Sequence, residues 1–180
     1  MDYLLFSSRS IWTMVHGVVL GGGALVALAA ALFSITALGS PTAADATTER
    51  QARYVMWLLI FSAAALWLTV LVGTYVNFPA YRATPPEGLS DLGQFPRSLI
   101  QSNPQTVWLH SFAMEIQEHV PWIAALLATA VAFVAARYRS QLLRDARIRR
   151  GAQLLLAICF MLVAAVSLLG VFINKVAPLE

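Results

Sequence analysis

The sequence predicts an all-α integral membrane protein, folded as an antiparallel bundle of four transmembrane helices with both termini outside. Of its 180 residues, 59% are hydrophobic and only 12% are charged, whereas about a quarter of the residues in soluble domains are charged. Such a chain has too little polar surface to enclose a core in water. It also contains a single cysteine, which excludes a disulfide scaffold. The remaining class is a membrane protein with one domain, residues 1–180.

Four segments without Asp, Glu, Lys or Arg set the positions of the helices, and the third helix is expected to begin a turn or more before its uncharged segment, 119–136. A spanning helix needs about 20 apolar residues, and its backbone must be helical because hydrocarbon offers no partner to an open peptide group. The first segment is too long for the apolar region of a signal peptide, so we expect it to be retained. The predicted helices cover residues 11–36, 54–78, 110–136 and 151–174.

The distribution of arginine predicts the orientation. The connection 137–150, between the third and fourth helices, carries six arginines and one acid, Asp145. A short loop this basic stays in the cytoplasm. The proline-rich connection 79–108 and both termini then lie outside, and we expect a bacterial inner (cytoplasmic) membrane. The arginines fit a solvated loop that fixes topology, with a specific site for lipid or a partner as the alternative.

All three histidines fall in the outer half of this arrangement. His16 lies within the first helix, His110 at the start of the third, and His119 beside Glu115 and Glu118. An ionisable side chain is costly inside a membrane, so it marks a functional position by default. On a regular α-helix Glu115 and His119 share a face, whereas His110 and His119 point in opposite directions.

Several interpretations of these residues remain open. A b-type haem needs two imidazoles from different helices, which His16 could supply together with His119 or His110. A quinone bordering the same region would exchange protons with an imidazole and a carboxylate. A mixed metal site would use His16, His119, Glu115 and Glu118.

An interpretation without a cofactor explains the same pattern. Histidines can be hydrogen-bonded structural residues, and the spacing Gly17-x-x-x-Gly21 is typical of close packing between membrane helices. We predict no catalytic residue, and the sequence leaves open whether the protein is an enzyme.

Two runs of residues resemble a known family. The first includes His110, Phe112, Met114, Glu115, Glu118, His119, Val120 and Trp122. The second is Arg-Ser-x-Trp-x-x-x-His-Gly at residues 9–17. In both, the sequence is similar to a family of small four-helix bacterial integral membrane proteins. The resemblance implies the helix count, marks the histidines and implies no activity. The likeness to four-helix b-type cytochromes is one of architecture only.

These observations lead to an expected function. We expect a small subunit of a respiratory or photosynthetic electron-transfer complex, holding a b-type haem or bordering a quinone near the outer leaflet. One alternative is a cofactor-free structural or assembly subunit, and another is a metal-binding or transport protein. The expected partners are the lipid bilayer and other membrane subunits. We expect no nucleic acid, because the positive charge is modest and clustered at one loop.

Overall fold

The protein, seen here in a computed structural model, is described over residues 6–39 and 45–178. Its regular structure in these ranges is helical, so the predicted all-α class is confirmed. Four of the helices are long and apolar enough to cross a membrane: α1 (Ser8–Leu38), α2 (Thr48–Tyr81), α4 (Leu109–Tyr138) and α6 (Ala146–Val176). Two short helices join them: α3 (Pro96–Gln101) and α5 (Ser140–Arg144).

The long helices extend beyond the segments predicted for them, because polar residues cap their ends. The Ser7 hydroxyl accepts a hydrogen bond from the Ser10 amide at 3.0 Å, so α1 begins at Ser8. The Asp145 carboxylate accepts one from the Arg147 amide at 2.7 Å, so α6 begins at Ala146. The segment 137–150, predicted as a loop, is therefore largely helical. It turns at Arg139, whose φ of +41° is rare for a residue other than glycine.

Three of the long helices contain a π-helical segment: Val15–Gly22 in α1, Gly73–Asn77 in α2 and Leu109–Met114 in α4. In a π-helix the hydrogen bonds run from residue i to i+5, a rare geometry that is frequent at functional sites. The first two segments contact each other through His16 and Gly73, and a hydrogen bond joins Tyr81 to the third. We call this region of the bundle the histidine end.

Small and aliphatic side chains fill the core between the four long helices. Alanines of α4 are prominent in it (Ala124, Ala125, Ala128, Ala132 and Ala135), and small residues let membrane helices approach closely. Trp67 packs edge-on against Trp122 at 5.8 Å. Trp122 is partly buried and packs against this core. The Cys159 thiol is fully buried and donates a hydrogen bond to the Ala124 carbonyl at 3.3 Å.

The basic segment 137–150 and its neighbours form the opposite region, which we call the arginine end. Arg139 pairs with Glu49 at 3.8 Å. The Gln153 amide donates to the Thr36 hydroxyl at 2.9 Å, which links α6 to α1. Arg149 donates to the Leu143 carbonyl at 2.6 Å, which fastens α5 to α6.

A second, smaller core closes the histidine end. The connection after α2 folds back so that Ile100 of α3 is fully buried, and the Thr106 hydroxyl donates to the Ile100 carbonyl at 2.9 Å. Leu109 and Ala113 of α4 and Ile173 of α6 share this core. The smaller core holds α3 beside Tyr81, which belongs to it.

Candidate functional site at the histidine end

His16 lies against the backbone of α2 at its π-helical segment. An ideal Cβ on Gly73 would be 2.7 Å from Cε1 of His16, 3.2 Å from Nε2 and 3.4 Å from Nδ1. The edge of the imidazole that carries both nitrogens therefore faces bare glycine backbone. The Thr69 backbone also lies within hydrogen-bonding reach of the ring. Nδ1 of His16 is buried and has no hydrogen-bond partner among the described residues.

His110 is paired with a tyrosine from the end of α2. The Tyr81 hydroxyl lies 2.9 Å from Nδ1 of His110, and the two ring centroids are 6.1 Å apart. Tyr81 is only 3% exposed, while His110 is half-buried. Phe78 also stacks on Tyr81, with the two ring centroids 6.3 Å apart. The pair is thus a buried hydroxyl joined to an imidazole that remains partly accessible.

Charged residues surround the Tyr81–His110 pair. Arg97 of α3 and Glu118 of α4 both lie near enough to act electrostatically on each ring. The Nε atom of Arg97 is buried and lacks a hydrogen-bond partner within the described part of the chain. Buried polar atoms are usually paired, so this unpaired Nε–H donor is unusual. The group combines donors, acceptors and both signs of charge.

His119 lies on the surface and contacts its own helix. Its side chain is 71% exposed, and that of Glu115 is 60% exposed. Nδ1 of His119 lies 2.8 Å from the Glu115 carbonyl oxygen and 4.0 Å from a Glu115 carboxylate oxygen. The predicted placement of these two residues on one helix face agrees with this contact. His119 therefore has Nε2 as the nitrogen that could bind another group.

The three histidines thus have three different partners: the α2 backbone for His16, Tyr81 for His110 and Glu115 for His119. Among the described residues, no group of three or more His, Cys, Asp or Glu side chains could hold a metal ion. All four residues of the predicted metal site, His16, His119, Glu115 and Glu118, lie in that part of the chain.

Sequence reasoning missed Tyr81 and Arg97 as members of the site. From the sequence, Tyr81 looks like an aromatic residue at a membrane interface. Arg97 looks like a charged loop residue whose charge is balanced by nearby acidic residues. The signal that could have drawn attention to them is their position in the proline-rich connection 79–108, since long connections often carry function. Which side chains that connection brings together depends on its fold.

No protein-family model, curated protein or solved structure matches the chain. The functional interpretation therefore rests on the residues and their geometry.

Proposed function

We propose that this protein is a small subunit of a membrane electron-transfer complex and that its histidine end borders a quinone. The observation that carries the proposal is the hydrogen bond between Tyr81 and His110, with Arg97 and Glu118 close by. A quinone ring is apolar and carries two carbonyl oxygens, so it fits a site with hydrophobic walls and a few placed donors. Phe112, an exposed aromatic residue two positions after His110, offers such a wall.

The hydrogen bond from Tyr81 sets what His110 can do. When the tyrosine hydroxyl donates to Nδ1, the imidazole proton lies on Nε2. That N–H group can donate to a quinone carbonyl, and Arg97, whose Nε–H lacks a partner among the described residues, can support the same oxygen or its neighbour. Glu118 supplies a carboxylate that can accept a proton. In this role the chain binds the ring and exchanges protons, while other subunits of the complex carry the electrons.

The orientation belongs to the same proposal. We place the arginine end in the cytoplasm because six arginines lie within segment 137–150. The four helices then run antiparallel, both termini lie outside, and the histidine end faces the outer leaflet. The membrane proposed is the bacterial inner membrane.

Binding of a haem or a metal ion would require larger changes in the observed arrangement than binding of a quinone. For His16 to bind a haem iron or a metal, its ring must leave the Gly73 backbone, which faces both of its nitrogens. His119 would have to bind through Nε2 from an exposed position. The b-type haem between His16 and His119 and the mixed metal site stay predictions, and the quinone proposal needs no such rearrangement of His110.

A different observation favours a second candidate, a cofactor-free structural or assembly subunit. The glycines of α1 do not all pack inside the bundle, because an ideal Cβ on Gly17 or Gly23 would meet nothing within 4 Å. A shallow apolar groove lies beside them, between α1 and α2, and includes Val18, Gly22 and Phe61. A surface of this kind suits docking of another membrane subunit.

Photolabelling with an azido-quinone in lipid nanodiscs tests the quinone proposal. We expect labelling of the peptides around Tyr81 and His110, competed by unlabelled quinone. Tyr81→Phe and His110→Gln should each reduce the competed label at least threefold, whereas Tyr75→Phe, at a 70% exposed tyrosine, should not. Labelling that competition does not remove, or that persists in both variants, would contradict the proposal. A reduced-minus-oxidised haem spectrum of the purified protein would support the haem interpretation instead.

A further inference from the structure

A groove at the arginine end combines apolar walls with a charged mouth. It lies between α4 and α6 and has a volume of about 320 Å³. Residues that line it include Val131, Val134, Tyr138, Arg147, Gly151 and Leu155. Arg147 is its only charged lining residue. An ideal Cβ on Gly151 would meet nothing within 4 Å, so the α6 wall is open at this position.

Arg147 forms no ion pair with Asp145, the acid nearest to it in sequence. Asp145 is the only acid in the segment 137–150, and its carboxylate caps α6 by accepting from the amides of Arg147 and Ile148. Arg147 itself is exposed and belongs to neither of the two ion pairs found among the described residues. Its guanidinium is therefore available to an anion.

The groove also runs in the direction that a lipid chain takes. Tyr138 ends α4, and Val131 lies seven residues earlier, which corresponds to about 10 Å along a helix with a rise of 1.5 Å per residue. The groove thus runs from the charged boundary of two membrane-spanning helices into their apolar part. A phospholipid has the same order of groups, a charged phosphate followed by a hydrocarbon chain.

We propose that this groove binds one anionic phospholipid, with its phosphate on Arg147 and one acyl chain between α4 and α6. The Tyr138 hydroxyl at the mouth is a second donor for the phosphate or glycerol oxygens. Charge complementarity selects this occupant over a neutral lipid, because basic pockets between membrane helices attract anionic head groups. The inference is independent of the quinone proposal, since it concerns the opposite end of the bundle.

Native mass spectrometry of the detergent-solubilised protein with phosphatidylglycerol and phosphatidylcholine tests the site. We expect one phosphatidylglycerol to be retained in preference to phosphatidylcholine. Arg147→Gln should weaken its binding about fivefold, the usual effect of one arginine at an anionic surface. Arg150→Gln is the matched control, because it removes the same charge three residues away and Arg150 does not line the groove. It should change binding less than twofold.

A second variant separates the acyl chain from the head group. Gly151→Leu fills the groove without altering any charge, and the open space at Gly151 lets the side chain fit. It should weaken phosphatidylglycerol binding at least threefold while Cys159 stays protected from thiol reagents, which shows that the fold is intact. Equal losses for Arg147→Gln and Arg150→Gln, no preference for phosphatidylglycerol, or unchanged binding to Gly151→Leu would each overturn the proposal.

Discussion

The His16 imidazole occupies the space that a side chain at Gly73 would need, with only 2.7 Å between Cε1 and an ideal Cβ at that position. The His16 ring packs directly against the Gly73 backbone, and this contact sets the spacing of α1 and α2 at the histidine end. Both partners lie in π-helical segments, Val15–Gly22 and Gly73–Asn77. The contact makes the stability of this end sensitive to a single methyl group.

We expect Gly73→Ala to lower the apparent stability of the protein in detergent by about 1–3 kcal/mol, the usual cost of overpacking a tight contact. Thermal unfolding followed by reaction of Cys159 with a thiol-reactive dye measures this, because the thiol is buried in the folded protein. Gly17→Ala is the control, since nothing lies within 4 Å of its ideal Cβ, and it should change stability by no more than about 0.5 kcal/mol.

The cause of that loss can be checked with a double variant. His16→Ala removes the ring that the new methyl group would meet, so Gly73→Ala should cost much less in the His16→Ala background than in the wild type. Non-additivity of this kind is expected only for residues in contact. An equal cost in both backgrounds would show that the methyl group meets something other than His16.

The hydrogen bond between Trp67 and Thr129 is the second feature with a measurable contribution. The indole N–H of Trp67 donates to the Thr129 hydroxyl at 3.0 Å, and that hydroxyl donates to the Ala125 carbonyl at 2.8 Å. We expect Thr129→Val to lower the free energy of unfolding by about 0.6 kcal/mol, a typical value for a bond between membrane helices. Thermal unfolding of Thr129→Val, Trp67→Phe and the double variant isolates the pair.

Thr13→Val is the matched control for this experiment. The Thr13 hydroxyl donates to the Arg9 carbonyl at 2.9 Å. Its removal therefore breaks the same kind of hydrogen bond within a helix, and no hydrogen bond between helices is lost. If Thr13→Val and Thr129→Val lowered stability equally, the indole bond would contribute nothing measurable.

The Asp145 cap predicts a third effect. Asp145→Ala should destabilise the protein by about 1 kcal/mol, because the first turn of α6 loses the acceptor for its amides. Asp145→Asn should retain most of the stability, since asparagine caps helices about as well as aspartate. Denaturation of the three proteins side by side distinguishes a cap from a charge effect, in which Asn and Ala would behave alike.

A labelling experiment in whole cells tests the orientation. In a Cys159→Ala background, Ser102→Cys places a thiol in the connection between α2 and α4, and Gln141→Cys places one in α5. Both positions are exposed. With both termini outside, a membrane-impermeant maleimide added to intact cells labels the first variant and leaves the second unlabelled until the cells are lysed. The reverse pattern would invert the proposed topology.

The four spans were predictable from sequence because the membrane imposes a simple requirement. A long uncharged segment in hydrocarbon has to satisfy its own peptide groups, so the absence of charge between Ile11 and Leu38 was enough to predict α1. The exact ends were less predictable, because they depend on caps such as those from Ser7 and Asp145. These caps depend on local geometry as well as on residue type.

The contacts of the histidines were harder to predict from the sequence, for a physical reason. Arguments about shared helix faces assume 3.6 residues per turn, yet His16 and His110 lie in π-helical segments, where residues five apart are bonded. Glu115 and His119 lie in regular α-helix, and their predicted proximity agrees with the structure. The contacts of His16 with Gly73 and of His110 with Tyr81 also required knowledge of how separate helices pack.

The π-helical segments have a consequence for changes in chain length. A turn closed between residues i and i+5 holds one residue more than a turn of α-helix, so each of the three segments can shorten by one residue and become regular. Residues on either side of the shortened segment would still face the same neighbouring helices, and the alanine-lined core would stay assembled. Loss of a single residue can therefore be tolerated at these three places, whereas the same deletion in the middle of α6 would rotate half of that helix out of register.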